Sequence, residues 1–325
     1  MRSVFNTAGE RLAVDCEPSW VADEVAACAG LPADGRAAPT LNVSVEASRE
    51  AFPRTGLLPV ARGTWARDGV AVITDVGTSG FDALVDVSGT EPRFTFRWRP
   101  DAKARIAKAA FRSRHRLLTR AVLVQYPALW RAALRGRTPV HAAACTSGRC
   151  VALLGGPGGV GKTTLVLGEV AAGERTTGDN VAVTDGTTVW GLAEPARHEH
   201  GGRGPRMPHG RTEAPLQGRV ASLIPDRVVV LRRGDGDEPA VRLAKHDEVA
   251  RTLVAGTYAA QELRRFWSLA AVLSIATESG PAHPPVVETL RDVADRLPGI
   301  TITLPRRPGP TLRQLLDLAE VAACA

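Results

Sequence analysis

Residues 156–163 read GPGGVGKT, which fits the phosphate-binding pattern GxxxxGK(S/T). The apolar run CVALLGG leads into this loop, and the helix-forming run TTLVLGEVAAG overlaps its end. A glycine-rich loop between a strand and a helix turns successive backbone N–H groups toward an anion, and the start of the helix adds positive charge. The chain is therefore predicted to be an α/β protein built around a strand–loop–helix unit. A glycine-rich turn that binds nothing is the alternative.

This loop predicts a nucleotide site that uses ATP and Mg²⁺. Lys162 is expected to reach the β- and γ-phosphates, and the hydroxyl of Thr163 is expected to bind Mg²⁺. The predicted nucleotide-binding residues are Gly156, Gly158, Gly159, Val160, Gly161, Lys162, Thr163 and Thr164. The loop alone does not distinguish an ATPase, a GTPase, a kinase and a degenerate nucleotide-binding module.

The acidic residues after the loop are informative because the usual partner motifs are missing. The apolar run VVVL at 228–231 ends in Arg232 where a Walker B strand would carry an acid, and the GTPase motif NKxD is absent. Asp179 lies seventeen residues after Lys162, at the predicted start of the strand that follows the helix. A carboxylate there would lie beside the γ-phosphate, where it can hold Mg²⁺ or accept a proton from an attacking hydroxyl. Asp179 is therefore the predicted base and, with Thr163, a predicted metal ligand.

The order of motifs resembles the catalytic domain of the HPr kinase/phosphorylase family. His141 stands fifteen residues before Gly156, and the glycine loop, a helix and the pair GD at 178–179 follow, as in the family's pattern of an HG-type histidine, a glycine loop, a helix and ADD. The resemblance implies a fold related to phosphoenolpyruvate carboxykinase, phosphoryl transfer to a hydroxyl, Asp179 as the catalytic base and His141 beside it. A histidine satisfied at a strand end is the alternative for His141.

Two departures from the family pattern limit what is carried over. Asn180 replaces the second aspartate and offers an oxygen without a charge. The EIRG-type segment that brings a glutamate to the metal has no clear counterpart, and the choice among Glu194, Glu199 and Glu213 stays open. Recognition of the protein HPr and the reverse phosphorylase reaction are therefore not predicted.

Arginine-rich segments supply the candidate contacts to the acceptor. The segment 193–220 has no periodicity and carries several arginines and histidines among glycines and prolines, so it is expected either to close on a substrate or to remain a solvated loop. The histidines of HEH at 198–200 have no third ligand at a suitable spacing, and a metal site there is not predicted. The candidate substrate contacts are Asn180, Arg206, Arg211, Arg264 and Arg265.

Periodicity divides the chain into three parts. Residues 1–100 alternate short β-like runs with turn residues and predict a small, mainly antiparallel β-rich domain. Residues 101–136 predict a helical connector, in which Pro127 marks a break. Residues 137–325 predict the P-loop kinase catalytic domain with a C-terminal helical region, in which the run TYAAQELRRFWSLAAVLSIA at 257–276 forms one helix.

Composition limits which binding partners and which cellular location are expected. The net charge of +7 suits nucleic acid or a polyanion such as ATP, but 2 tyrosines and 7 phenylalanines form no aromatic pattern that would stack bases, so nucleic acid is not predicted. There is no run of eighteen apolar residues and no apolar leader, which predicts a cytoplasmic protein without a membrane span. The 5 cysteines are scattered, so reduced thiols are expected. The oligomeric state stays open, a homo-oligomer included.

Together these features predict an ATP-dependent phosphotransferase with an alcohol group as acceptor, acting in a biosynthetic pathway. The acceptor is either a small specialised metabolite, such as a nucleoside or a sugar, or a peptide serine. The alternatives are a non-catalytic ATP-binding regulatory module and a simple ATPase. Asp179 and His141 favour the enzyme, whereas Asn180 and the missing metal-binding glutamate favour the module.

Overall fold

A nine-stranded sheet occupies the amino-terminal part of the computed structural model, which describes residues 1–28, 30–33, 37–198, 206–208, 210–306 and 309–324. Its strands are β1 (Arg2–Thr7), β2 (Glu10–Cys16), β3 (Leu31–Pro32), β4 (Leu41–Glu46), β5 (Leu58–Ala61), β6 (Thr64–Arg67), β7 (Val70–Ile73), β8 (Phe81–Asp86) and β9 (Arg93–Trp98). Their order is β3-β1-β2-β4-β9-β8-β7-β6-β5. Within this sheet the β2–β4 and β4–β9 pairs are parallel, and the other pairs of described strands are antiparallel. Helix α1 (Ser19–Ala26) contributes Val21 and Val25 to the core of this sheet.

The predicted connector is helical and irregular. It contains α2 (Ala102–Ala110), α3 (Arg112–Arg120), a π-helical turn (Ala121–Gln125) and α4 (Tyr126–Leu134). Pro127 has no N–H to donate to the preceding turn, and the π-helical turn lies directly before it, so the predicted irregularity is confirmed. A second break at Phe111, between α2 and α3, was not predicted.

A five-stranded sheet carries the glycine loop. Its order is β11-β12-β18-β20-β19, formed by β11 (Ala142–Ser147), β12 (Cys150–Gly155), β18 (Arg227–Arg233), β19 (Ala240–Ala244) and β20 (Gly299–Leu304). Strands β12, β18 and β20 are parallel. Helix α5 (Lys162–Ala171) follows the loop, and Gly173, at the C′ position with φ +93°, ends it in the left-handed conformation that glycine tolerates.

Two small sheets extend the P-loop region. One has the order β10-β13-β14-β17, formed by β10 (Thr138–Val140), β13 (Ala182–Thr184), β14 (Val189–Gly191) and β17 (Ser222–Leu223). The hairpin of β13 and β14 turns at Asp185, whose side chain accepts from the backbone N–H groups of Thr187 and Thr188. The other is the antiparallel pair β15 (Ala196–His198) and β16 (Thr212–Ala214), so the aperiodic segment contains a short ribbon.

Four further helices complete the described chain: α6 (His246–Ala259), α7 (Arg264–Thr277), α8 (Val286–Arg296) and α9 (Leu312–Cys324). The single helix predicted over 257–276 is wrong, because α6 ends at Ala259 and α7 begins only at Arg264. Ala260 adopts an extended conformation with ψ 115°, which interrupts the helix without any glycine or proline.

Both faces of the five-stranded sheet are covered by helices. Leu165 of α5 and Leu315 of α9 pack on one face, and Leu253 of α6 and Leu290 of α8 pack on the other. Burial on both faces explains the nearly continuous apolar runs of β12 and β18. The nine-stranded sheet is covered differently: α4 and α7 share its core, with Trp130 against Phe94 and with Phe266 buried beside them. The chain is thus a mixed α/β protein.

Candidate functional site

A cavity of about 840 Å³ lies between the glycine loop and helix α6. The loop side is lined by Pro157, Gly158, Gly159, Gly161, Lys162, Thr163 and Thr164, and the facing side by Arg251, Thr252, Ala255, Gly256 and Ala259. His141, Asp179, Asn180, Arg197, Arg211 and Glu262 complete the polar part of the wall. A volume of this size is within the range of pockets that bury a small-molecule ligand, roughly 300–1,000 Å³.

The conformation of the loop depends on glycine, as Gly156 and Gly161 show. Gly156 has φ +152°, and a Cβ there would lie 2.8 Å from the carbonyl oxygen of Leu231. Gly161, with φ +119°, directly precedes α5, at the point where the chain turns from the loop into the helix. Val160, predicted among the nucleotide-binding residues, is buried in the core beneath the loop, where it packs with Leu231 and Leu304.

Lys162 is a buried cation at the start of α5, with 5% of its surface exposed. Its Nζ donates to the carbonyl oxygens of Gly156 (2.8 Å) and Pro157 (3.2 Å). Burial lowers the pKa of Lys162 to about 8, although Glu262 and Asp179 oppose the shift. The folded chain therefore holds a desolvated ammonium group against the loop that is predicted to bind phosphate.

Asp179 lies between β13 and the glycine loop and is 1% exposed. Its Oδ2 accepts from the backbone N–H of Arg197 at 3.5 Å, and its own carbonyl oxygen accepts from the Thr163 hydroxyl at 3.5 Å. Its Oδ1 is buried and has no hydrogen-bond partner among the described residues. Buried polar atoms are almost always satisfied. This oxygen and His141 Nδ1, which is also buried without a partner among the described residues, are therefore candidates to bind a ligand.

A chain of hydrogen bonds connects His141 to Arg197. The Nε2–H of His141 donates to Asn180 Oδ1 (3.2 Å), and Asn180 Nδ2 donates to Glu262 Oε1 (3.2 Å). Arg197 Nη1 donates to the same glutamate oxygen at 2.6 Å. Asn180 thus joins two side chains, using both its acceptor and its donor. An aspartate at this position could not donate to Glu262.

The charge states of this chain follow from burial and pairing. Burial lowers the pKa of His141 to about 4, with Lys162 adding to the shift, so the imidazole is neutral at pH 7. Burial alone would raise the pKa of Glu262, but the guanidinium of Arg197 and the bonds it accepts lower it to about 2. Glu262 is therefore ionised and attracts two nearby cations, Arg197 and Lys162.

The low pKa of His141 predicts how stability depends on pH. Above pH 6.5 the imidazole is neutral in both folded and unfolded chains. As the pH falls from 6.5 toward 4, only the unfolded chain takes up the proton, so the free energy of unfolding decreases by about 2–3 kcal/mol. Urea denaturation at pH 7.5 and pH 5 is expected to show a smaller decrease for His141→Asn than for the wild type.

The exposed His246 at the start of α6 provides the matched control, because His246→Asn makes the same substitution outside the cavity. An unchanged pH dependence in His141→Asn would contradict the burial of a neutral imidazole.

Among the three glutamates left open by the sequence, Glu194 lies next to the site without lining its cavity. Its Oε1 accepts from the backbone N–H of Val181 (3.3 Å), and its Oε2 lies 3.6 Å from Arg197 Nη2. Burial raises the pKa of Glu194 to about 7, and Asp179 adds to this shift while Arg197 opposes it. Glu213 instead pairs with Arg120 at 2.6 Å, and Glu199 lies outside the described residues.

The candidate substrate arginines are divided among different places. Arg211 lines the main cavity. Arg206 is exposed and lines a separate hollow beside the start of α3. Arg265 lines a second cavity that adjoins the first, whereas exposed Arg264 lines none of the described cavities.

Glu262 is the main residue of the site that the sequence did not identify. It lies in the four-residue break between α6 and α7, which turns it toward Arg197 and Asn180. The available signal for a site residue was a glutamate between two helical runs. The apolar periodicity on both sides of it, however, predicted a continuous helix. Arg197, Arg251 and Gln261 also join the wall without having been singled out.

Thr163 and Asp179 are the residues that suit Mg²⁺. Mg²⁺ is commonly held by one or two protein oxygens together with phosphate oxygens, and the unpartnered Asp179 Oδ1 meets that requirement. Within the described part of the chain, no group of three or more His, Cys, Asp and Glu side chains could hold a metal alone. His198 is part of no such group, and His200 of the HEH segment lies outside the described residues.

The described helices include none that is both long and apolar enough to cross a membrane. No protein-family model matches the chain, and no curated protein matches it significantly.

Proposed function

We propose that the protein is an ATP-dependent phosphotransferase with a P-loop kinase fold of the HPr kinase type, which moves the γ-phosphate of ATP to a hydroxyl acceptor. The observation that carries the proposal is the position of Asp179. Its buried carboxylate lines the same cavity as Lys162, and one of the carboxylate oxygens has no partner among the described residues. The backbone carbonyl oxygen of Asp179 accepts a hydrogen bond from the Thr163 hydroxyl. A positioned carboxylate beside a phosphate loop is what hydroxyl phosphorylation needs.

Different residues of the cavity have different roles in the proposed phosphoryl transfer. The acceptor oxygen attacks the γ-phosphorus, the bond to the bridging oxygen of ADP breaks, and the hydroxyl proton passes to the Asp179 carboxylate. Lys162 offsets the charge of the phosphate oxygens with a buried ammonium that lies against the loop. Thr163 and Asp179 would hold Mg²⁺, which neutralises phosphate charge when bound.

The chain from His141 to Arg197 acts as a positioning network. Arg197 donates its backbone N–H to Asp179 and its guanidinium to Glu262, so the orientation of the base depends on the same residue that anchors the network. His141, neutral at pH 7, fixes Asn180 by a hydrogen bond and adds no charge beside the base.

Two observations favour a protein that binds ATP without phosphorylating an acceptor. Both polar ends of Asn180 are engaged by protein groups, and the described residues include no cluster of acids that would hold two metal ions. This arrangement suits an ATP-binding regulatory module or a simple ATPase, in which no acceptor is phosphorylated.

The test is the transfer of label from γ-labelled ATP to a panel of hydroxyl compounds and serine peptides, with mass spectrometry to detect the gain of one phosphate. We expect Mg²⁺-dependent labelling of an acceptor. Tight ATP binding without turnover against the whole panel would favour the regulatory module. Hydrolysis at a rate unaffected by any acceptor would favour the ATPase.

A further inference from the structure

A second cavity of about 250 Å³ adjoins the nucleotide cavity. The two cavities share four lining residues: Arg197, Pro208, Gln261 and Glu262. The Arg197–Glu262 ion pair, at 2.6 Å, therefore forms part of both walls. Since the backbone of Arg197 also contacts Asp179, a molecule in the second cavity would lie next to the residues that hold the proposed base.

The π-helical turn opens onto this second cavity. Ala121 and Gln125, the first and last residues of the turn, line it together with Tyr126. The Tyr126 hydroxyl donates to the carbonyl oxygen of Glu262 at 3.2 Å, which ties the turn to the nucleotide site. Single π-helical turns are rare and occur frequently at functional sites.

Two of the arginines that line the second cavity have no carboxylate partner among the described residues. Arg120 pairs with Glu24 and Glu213. Arg197 pairs with Glu262 and, at 3.6 Å, with Glu194, which also lines the cavity. Arg114 and Arg265 also line the cavity, and neither has a carboxylate partner within the described part of the chain. Arg265 is half-buried at the first turn of α7, where its side chain packs over Gly77. An unpaired guanidinium in a partly enclosed cavity is suited to hold an anionic group.

Part of the remaining wall is apolar. Leu117, Leu118 and Pro195 form its apolar part, and Glu194 lines it on the side of Arg197. The volume lies below the range of roughly 300–1,000 Å³ that is typical of pockets for drug-sized ligands. The cavity therefore suits a compact molecule with a short carbon body.

We propose that this second cavity binds the phosphate acceptor, and that the acceptor is a small hydroxyl compound whose carboxylate or phosphate group pairs with Arg265. The inference rests on the proposed phosphotransferase function and names the acceptor class for that site. In this arrangement the anionic group lies toward α7, and the hydroxyl points past Arg197 toward Asp179.

Direct binding tests the cavity without requiring turnover. Calorimetry on the full chain, loaded with Mg²⁺ and a non-hydrolysable ATP analogue, would compare small hydroxy acids and sugar phosphates with neutral counterparts. Glycerate, glycerol 3-phosphate and glycerol form one matched set. We expect an anionic member to bind at least about tenfold more tightly than its neutral counterpart, as a charge-assisted hydrogen bond provides. Which anion binds more tightly distinguishes a carboxylate from a phosphate acceptor.

Variants of two neighbouring arginines assign the effect. Arg265→Gln is expected to weaken anion binding by about tenfold or more, and Arg265→Lys is expected to recover part of it. Arg264→Gln changes an exposed side chain outside the cavities and is expected to leave anion binding unchanged. Thermal unfolding of each variant shows whether the fold is retained. Equal losses in the two glutamine variants, or no preference for anions anywhere in the panel, would overturn the proposal.

Transfer kinetics separate this inference from the proposed function. We expect Arg265→Gln to raise the KM for the acceptor about tenfold and to change kcat little, because the guanidinium contacts a part of the acceptor that does not react. Phosphorylation of a serine peptide that is insensitive to Arg265→Gln would overturn the second cavity as acceptor site and leave the phosphotransferase intact. Arg265-dependent binding without any transfer would overturn the phosphotransferase, and with it the acceptor role of the cavity.

Discussion

Replacing Asp179 with asparagine is expected to lower the rate constant of phosphoryl transfer by about two to four orders of magnitude, the usual contribution of a positioned general base. Asparagine has nearly the same shape, so the hydrogen bond from the Arg197 N–H to its side-chain oxygen can be kept. The amide cannot accept the proton of the acceptor hydroxyl. ATP affinity is expected to change little, because Lys162 and the loop backbone remain.

The measurement is single-turnover transfer at saturating ATP and acceptor, which reports the chemical step rather than product release. Asp292→Asn, on the exposed face of α8, is the matched control and is expected to retain the wild-type rate. Undiminished transfer by the Asp179→Asn protein would remove the assignment of the base.

Replacing Lys162 with methionine is expected to weaken ATP binding by about ten- to a hundredfold, since a charge-assisted bond to phosphate is lost. The same change is expected to leave the nucleotide-free protein at least as stable as the wild type. A pKa lowered from 10.5 to about 8 means that the folded chain holds this proton at a cost of about 3 kcal/mol at pH 7. The lost bonds to the Gly156 and Pro157 carbonyls offset part of the gain.

Thermal unfolding with and without Mg-ATP measures both effects, because a ligand that binds only the folded chain raises Tm. Lys103→Met, on the exposed surface of α2, provides the control for the same substitution away from the cavity. A Lys162→Met protein that is destabilised without nucleotide and is still stabilised fully by Mg-ATP would contradict the idea that this ammonium is held in place for phosphate.

The sequence was sufficient for features that depend on neighbours in the chain. The strand, loop and helix around Lys162 follow from an apolar run, glycines that tolerate positive φ, and good helix formers. The contact between Asp179 and Thr163 belongs to the same unit, because the segment after α5 runs back along β11 to the loop before β13 begins.

Features that depend on distant parts of the chain could not be predicted in this way. Asn180 bonds to His141, 39 residues before it, and to Glu262, 82 residues after it. The second bond exists because α6 ends at Ala259 without a glycine or a proline, so no local residue indicates the break. The depressed pKa of His141 and the raised pKa of Glu194 likewise arise from burial, which only the assembled structure determines.

Helix α7 makes the nine-stranded sheet and the cavity beside the glycine loop interdependent. Its first turn follows Glu262, and its buried residues Phe266, Ala270 and Leu273 share one core with strands of that sheet. A chimera that replaced residues 1–100 would have to present a matching surface to α7, or the wall of the cavity would shift with the helix. In the history of the gene, the sheet and the cavity are therefore expected to have been inherited and modified as one unit rather than exchanged as separate modules.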